Sequence, residues 1–269
     1  MKSGTDYTMF IDSTLQEASR LALQYFGKVS GTIKEHDSNQ VLTEADLKVG
    51  AFLVSGVQKA YPAHNIIDEE TGAIDNNSEY TWVIDPIDGT SNFAAGVPTY
   101  GVMIGLLAGT TPIAGGIALP SFSEIYTAEK GKGAFCNGST IHVTRETKLV
   151  NTLVAYGIDG YRDHPERTRG ECAQLANIVL AIRNLRSSNS AFDFCMVAKG
   201  TYGAEINRTS KIWDNVAPQI VVEEAGGVYT EIDGHPLDYL HPLTKTQKNY
   251  TSLTASPVLH EQLVAIING

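Results

Sequence analysis

Two carboxylates three residues apart, Asp85 and Asp88, stand in the run Trp82-Val83-Ile84-Asp85-Pro86-Ile87-Asp88-Gly89-Thr90-Ser91. The apolar segment from Trp82 to Ile84 reads as a buried strand that ends on the first acid. Pro86 fixes its own φ and removes a donor, Gly89 permits a sharp turn, and Thr90 and Ser91 read as the start of a helix. This order places two acids at the rim of a sheet, facing helix-start N–H groups that have no intrahelical partner. Hard divalent cations prefer oxygen ligands, and phosphate prefers the N–H groups of a helix start, so one short loop offers a place for each. The plainer reading of Asp88-Gly89 is an ordinary turn after a core strand. An EF-hand is excluded, because its loop needs oxygen ligands at alternate positions and a distal Glu, a pattern that Pro86 and Ile87 break.

Three further acidic segments could share such ions. The short apolar strand Asn65-Ile66-Ile67 runs into Asp68-Glu69-Glu70, which could equally be a solvated loop. The spacing of Val216, Ile220 and Val221 predicts a helix with Asp214 in its first turn and Gly226-Gly227 at its end, and Asp214 could serve only as its N-cap. Thr43-Glu44-Ala45-Asp46 opens a helical pattern continued by Leu47, Phe52, Leu53 and Val57. It has the form of a capping box, so Asp46 by itself needs no catalytic role.

As a set, these segments resemble the inositol monophosphatase family of magnesium-dependent phosphatases, which includes archaeal-type fructose bisphosphatases and nucleotide 3'-phosphatases. Asp85-Pro86-Ile87-Asp88-Gly89-Thr90 matches one family signature, and Trp213-Asp214 with Glu224-Ala225-Gly226-Gly227 matches the other. Lys130-Gly131-Lys132-Gly133-Ala134-Phe135-Cys136-Asn137-Gly138 matches a family hairpin, and Val41-Leu42-Thr43-Glu44-Ala45-Asp46 the segment before the second helix. The resemblance implies an α+β fold, a layered αβαβα sandwich forming one catalytic domain over residues 1–269. An antiparallel sheet would fill its first part, to about residue 145, and an α/β arrangement the rest.

By the same resemblance, Glu69, Asp85 and the backbone carbonyl of Ile87 would hold a first magnesium ion, and Asp85, Asp88 and Asp214 a second. Some family members take a third, weaker ion near Glu69. Two such ions about 3.5–4 Å apart clamp the attacking and leaving oxygens of an in-line displacement. The implied catalytic set is Asp46, Glu69 and Thr90, with Thr90 paired to Asp46 to orient the attacking water. The N–H groups of Gly89, Thr90 and Ser91 would hold the phosphate, while Asn189, Ser190, Ala191, Asn207 and Arg208 would lie against the substrate. Lithium inhibition and a homodimer are further implications.

Departures from the family pattern bear on the substrate. Asp68 stands where the family more often has Gly, which leaves Glu70 a near alternative to Glu69 as the ligand. Asn189 stands where inositol-specific members usually have Gly. Seven residues before Asp214, Asn207 replaces a glutamate that accepts from a ring hydroxyl. Arg208 could pair with a second phosphate or simply be an exposed arginine beside a turn. The leading expectation is therefore hydrolysis of a small polyol or sugar phosphate monoester. The alternatives are a fructose-1,6-bisphosphatase-type sugar bisphosphatase, then a 3'(2'),5'-bisphosphate nucleotidase, and in another class a non-catalytic metal- or phosphate-binding relative. Ser91-Asn92-Phe93 favours the sugar and inositol branches over the nucleotide branch.

Other chemistries lack their residues. Cys136, Cys172 and Cys195 belong to no phosphate-binding cysteine loop, no P-loop pattern is present, and the seven histidines are not assigned to metal. At 269 residues the chain can bury a substantial core, and its net charge of −10 argues against a nucleic-acid surface. The odd, scattered cysteines predict reduced thiols and a cytoplasmic home, and no apolar run approaches the ~20 residues of a membrane span.

The elements that must position the site follow from periodicity. Ile11, Leu15, Ala18, Ala22 and Tyr25 mark an N-terminal amphipathic helix, and a second helix runs from about Thr43 to Ala60. Strand-like segments at 81–84, 100–107, 112–119 and 124–127 predict an antiparallel meander. The second half alternates a strand (152–156), a helix (165–180), a strand and a helix (191–198), and a last helix lies near 257–267.

Overall fold

Ile11, Leu15, Ala18 and Ala22 are all fully buried, so α1 (Tyr7–Tyr25) lays one apolar stripe on its neighbours, as the spacing predicts. The computed structural model describes residues 6–34 and 37–269. After α1, β1 (Thr32–Lys34) and β2 (Asp37–Leu42) pair antiparallel. Helix α2 (Glu44–Ala60) begins at a capping box closed by Thr43 and Asp46.

The larger sheet follows: β3 (Asn65–Asp68), β4 (Gly72–Ile74), β5 (Tyr80–Asp88), short helix α3 (Thr90–Ala94), then β6 (Gly101–Ala108), β7 (Thr111–Leu119), β8 (Glu124–Glu129), β9 (Gly133–Cys136) and β10 (Ser139–Thr140). Its eight strands lie in the order β10-β9-β8-β7-β6-β5-β3-β4. Strands β5 to β8 form the predicted antiparallel meander, while β3 lies parallel to β5.

The second sheet is built from β11 (Leu153–Gly157), α4 (Pro165–Ala181), β12 (Asn184–Arg186), α5 (Ala191–Ala198), β13 (Ala204–Ser210), α6 (Ile212–Glu224), β14 (Val228–Thr230), β15 (Tyr250–Ala255) and α7 (Pro257–Asn268). Its five strands run in the order β12-β11-β13-β15-β14, parallel across β12, β11 and β13 and antiparallel beyond.

Helices α1 and α2 cover one face of the first sheet, α5 and α6 lie between the two sheets, and α4 and α7 close the far side. This is the expected layered αβαβα sandwich. Glycines set the close approach of its layers. A Cβ on Gly105 would sit 2.7 Å from a Val216 methyl, and one on Gly116 would sit 2.6 Å from a methyl of Ile11. Bare backbone in β6 and β7 thus lets α6 press on one face of the sheet and α1 on the other.

One detail differs from expectation, and one was not foreseen. Strand β5 does not stop at Asp85 but runs through Pro86 to Asp88. Opposite it, Asp85 pairs with Met103 and Asp88 with Gly101, so β5 carries one more residue than β6 between the same two rungs. This bulge leaves the donor-less Pro86 outside the regular ladder. The unforeseen detail joins the glycine-rich hairpin between β8 and β9 to the acid at the end of α6. The Glu224 carboxylate accepts from the backbone N–H of Gly131 and of Gly133, both at 2.8 Å. These two sequence motifs are one structural clamp.

Candidate active site

In a regular strand, side chains alternate between faces, so positions three apart point in opposite directions. The bulge in β5 undoes that alternation, and Asp85 and Asp88 converge. Asp214, in the first turn of α6, meets them there: carboxylate oxygens of Asp85, Asp88 and Asp214 all lie within 4.8 Å of one another. Asp214 is not the N-cap residue. It occupies the third helical position, and its Oδ2 accepts from the Lys211 backbone N–H at 2.6 Å.

These acids form one end of a cleft of about 440 Å³ that Glu69 also lines, whereas Glu70 does not. Burial, followed by repulsion from Glu69, Asp88 and Asp214, pushes the Asp85 carboxyl well above the usual carboxylate range. Burial and the charge of Asp214 do the same to Asp88, against the opposing hydrogen bond from the Ala191 N–H. Asp85 Oδ1 is buried with no hydrogen-bond partner. Clustered, desolvated carboxylate oxygens with one lone pair set unmet are costly alone and well matched to hard divalent cations.

Gly89 turns the chain out of β5 in the left-handed region, at φ 83°. A Cβ there would meet that of Ser190 at 2.7 Å, so glycine is required both by conformation and by space. Thr90 and Ser91 open α3 and line the cleft with Gly89. The Thr90 hydroxyl lies 2.8 Å from the Ile87 carbonyl and 3.2 Å from Asp46 Oδ1. The other oxygen of Asp46 accepts from the backbone N–H and the hydroxyl of Thr43. Asp46 is thus both a capping residue and a partner of Thr90. Burial raises its pKa, and the bonds from Thr43 and Thr90 oppose that rise.

The loop at 188–190 makes the next wall. The Asp193 carboxylate, at the start of α5, accepts from the backbone N–H of Ser188 at 3.1 Å and of Asn189 at 3.0 Å. Burial raises its pKa to about 6 despite these bonds. Asn92 Nδ2 donates to the carbonyls of Thr99 and Ser188, and Ser190 Oγ donates to Thr99, which fastens the loop to the segment after β5. Asn189 sits at φ 51°, and its side-chain oxygen faces Asn207 Nδ2 across 3.5 Å.

The structure therefore gathers Glu69, Asp85, Ile87, Asp88, Gly89, Thr90, Ser91, Asn189, Ser190, Asn207 and Asp214 around one cleft. Asp46 joins through Thr90. Ala191 departs from expectation: it is fully buried outside the cleft lining, and its backbone N–H goes to Asp88 and not to a substrate. Arg208 is a second exception. Alternation along β13 sends Asn207 and Thr209 toward the cleft and Arg208 to the opposite face. There its guanidinium donates to Tyr156 Oη at 2.8 Å and to the Gln174 side chain, and it does not line the cleft.

The sequence motifs include neither Asp159, Tyr161, Thr209, Lys211 and Asn249, which also line the cleft, nor any mark of Asn92 and Asp193 as loop fasteners. Asp193 carries a readable signal, a single acid in the otherwise apolar run Ala191-Phe192-Asp193-Phe194-Cys195-Met196-Val197-Ala198. Tyr161 and Asn249 lie in irregular segments without periodicity.

The chain is 35% identical over 217 residues to the fructose-1,6-bisphosphatase/inositol-1-monophosphatase of Aquifex aeolicus, covering 78% of this chain and 80% of that protein. It is 31% identical over 252 residues to inositol monophosphatase 1 of Bos taurus, covering 91% and 90% of the two chains. The crystal structure of the extragenic suppressor protein suhB from Bartonella henselae superposes with a TM-score of 0.87 at 25% identity, covering 98% of both chains. The sequence model of the inositol monophosphatase family matches residues 6–268. A carboxylate-lined cleft in this layered fold, with that match over nearly the whole length, makes the chain a phosphatase of the inositol monophosphatase family.

Proposed function

We propose that the chain hydrolyses the phosphate monoester of a small polyol or sugar in the presence of magnesium. The observation that carries this reading is the convergence of Asp85, Asp88 and Asp214 within 4.8 Å beside the start of α3. On this reading Glu69, Asp85 and the Ile87 carbonyl hold one ion, Asp85, Asp88 and Asp214 another, and a third sits near Glu69 in some conditions. When bound, such ions neutralise phosphoryl oxygens and make a water a competent nucleophile.

The protein's own groups do the positioning, which is most of what phosphoryl transfer demands. The N–H groups of Gly89, Thr90 and Ser91 receive the phosphate. Thr90, held by Asp46, keeps its hydroxyl oxygen turned toward the attacking water, with Glu69 on the same side. Asn189 and Asn207 offer neutral donors and acceptors to substrate hydroxyls. Ser190 closes the wall by its contact with Gly89.

The identity to relatives named for both inositol monophosphate and fructose 1,6-bisphosphate supports a small phosphorylated polyol or sugar without choosing between them. A non-catalytic role is disfavoured, since Asp46, Glu69, Asp85, Asp88, Thr90 and Asp214 are all present. Lithium inhibition and a two-subunit assembly belong to the same reading. The test is phosphate release with and without magnesium from inositol monophosphates, sugar mono- and bisphosphates and 3'-phosphoadenosine 5'-phosphate. Release from none of them would sink the reading.

A further inference from the structure

The half of the cleft away from the acid cluster has a charge pattern the family match does not explain. Its wall is polar and carries one acid, Asp159: Asn207 and Asn189 face each other, and Tyr161 Oη and Thr209 Oγ1 share a hydrogen bond. Arg167 stacks on the Tyr161 ring at 3.8 Å from its centroid and is bonded to Glu171, so it belongs to the outside of that wall. Among the described residues that line the cleft, Lys211 is the one cation.

Lys211 is held in place at both ends. Its backbone N–H donates to Asp214 Oδ2 at 2.6 Å, which fixes it relative to the acid cluster. Its ammonium donates to Asn249 Oδ1 at 2.7 Å and to the Gln247 carbonyl at 3.2 Å. Both acceptors are neutral, and among the described residues no carboxylate lies within ion-pair distance of its Nζ. An ammonium carries three N–H donors, so the two tethers to neutral acceptors leave one to spare.

We propose that Lys211 is a specificity residue that binds a second phosphoryl group on the part of the substrate released as the alcohol. This rests on the phosphatase reading above and narrows its substrate class to small bisphosphates. A hydroxyl needs only the neutral amides of Asn189 and Asn207, whereas a pre-placed ammonium gives its strongest hydrogen bond to an anion. Arg208, the basic residue nearest in sequence to Asn207, is already engaged by Tyr156 and Gln174 on the other face of β13. The task therefore falls to Lys211.

The test compares fructose 1,6-bisphosphate with fructose 1-phosphate, which differ only in the second phosphoryl group, under saturating magnesium. The unaltered protein should show the higher kcat/KM on the bisphosphate. In Lys211→Met the ratio of the two kcat/KM values should fall about tenfold, the size of one lost charge-assisted contact, with the loss carried by KM. Lys211→Arg should recover most of the ratio, and Arg208→Gln should leave it unchanged. Equal losses on both substrates in Lys211→Met would make Lys211 only a tether for residues 247–249 and overturn the proposal. So would an unchanged ratio. Turnover of neither substrate by the unaltered protein, with no other phosphate ester cleaved, would overturn the phosphatase reading as well.

Discussion

Asp46 faces Thr90 across 3.2 Å with one carboxylate oxygen, while the other closes the N-terminal cap of α2 through Thr43. The capping box that explains Asp46 locally also aims it at the cleft. In Asp46→Asn the amide oxygen can still take one role, and the NH2 group would oppose the other. We expect kcat to fall by about a hundredfold. Stability should fall by about 1 kcal/mol, the usual worth of a cap. Thr90→Ser should keep most activity and Thr90→Val little. Steady-state kinetics with a parallel thermal melt separates these effects.

Glu69 lines the cleft and Glu70 does not, although the sequence leaves either as a ligand. Glu69→Gln should remove nearly all magnesium-dependent turnover, whereas Glu70→Gln should keep activity within about threefold of the parent. The magnesium dependence of initial rates decides it, and the opposite ranking would exchange the two residues.

Repulsion among Asp85, Asp88, Asp214 and Glu69 destabilises the folded chain when no cation balances it. Asp88→Asn should therefore melt at a higher temperature than the parent in excess chelator. Magnesium should raise the parent's Tm by mass action and leave that of Asp88→Asn nearly unchanged. Calorimetry in chelator and in magnesium reads both, and an equal magnesium shift in the two proteins would contradict the assignment.

Asp193 gives a pH dependence of opposite sign to an ordinary salt-bridged acid. Its carboxyl titrates at about 6 in the fold against 3.8 ordinarily, so between these values the folded chain holds a proton that the unfolded chain has lost. Its contribution to stability is therefore present at low pH and is lost as pH rises through about 6. Asp193→Asn should flatten the fall in stability across that interval, since an amide oxygen still accepts from Ser188 and Asn189. Denaturant melts at a series of pH values would show this, and an unchanged profile would count against it.

The Glu224 clamp is a structural device. Glu224→Ala should cost about 1–2 kcal/mol through the lost N–H bonds of Gly131 and Gly133. The Michaelis constant should stay near that of the parent, because the hairpin does not line the cleft.

Much of this molecule is legible in its sequence, for physical reasons that differ by residue. The meander is readable because β5 to β8 are short apolar runs broken by Gly, Pro and Thr. The acid cluster is readable because Asp85, Asp88 and Asp214 sit at ends of such runs. What does not read through depends on register. The bulge that brings Asp85 and Asp88 to one face is a relation between β5 and β6, not a property of either. The direction of Arg208 needs the placement of β13, whose mixture of Glu205, Asn207 and Arg208 hides a strand. Lys211 and Asn249 stand 38 positions apart and meet only once α6 and β15 are packed.

On the proposed function, the acid cluster is a metal-dependent phosphatase centre. The most direct measurement is phosphate release from the sugar and polyol phosphate panel, with magnesium titrated from zero, for the parent and Asp88→Asn. Release should require magnesium in the parent and fall by at least about a thousandfold in Asp88→Asn. Release that is indifferent to magnesium, or that survives in Asp88→Asn, would contradict it.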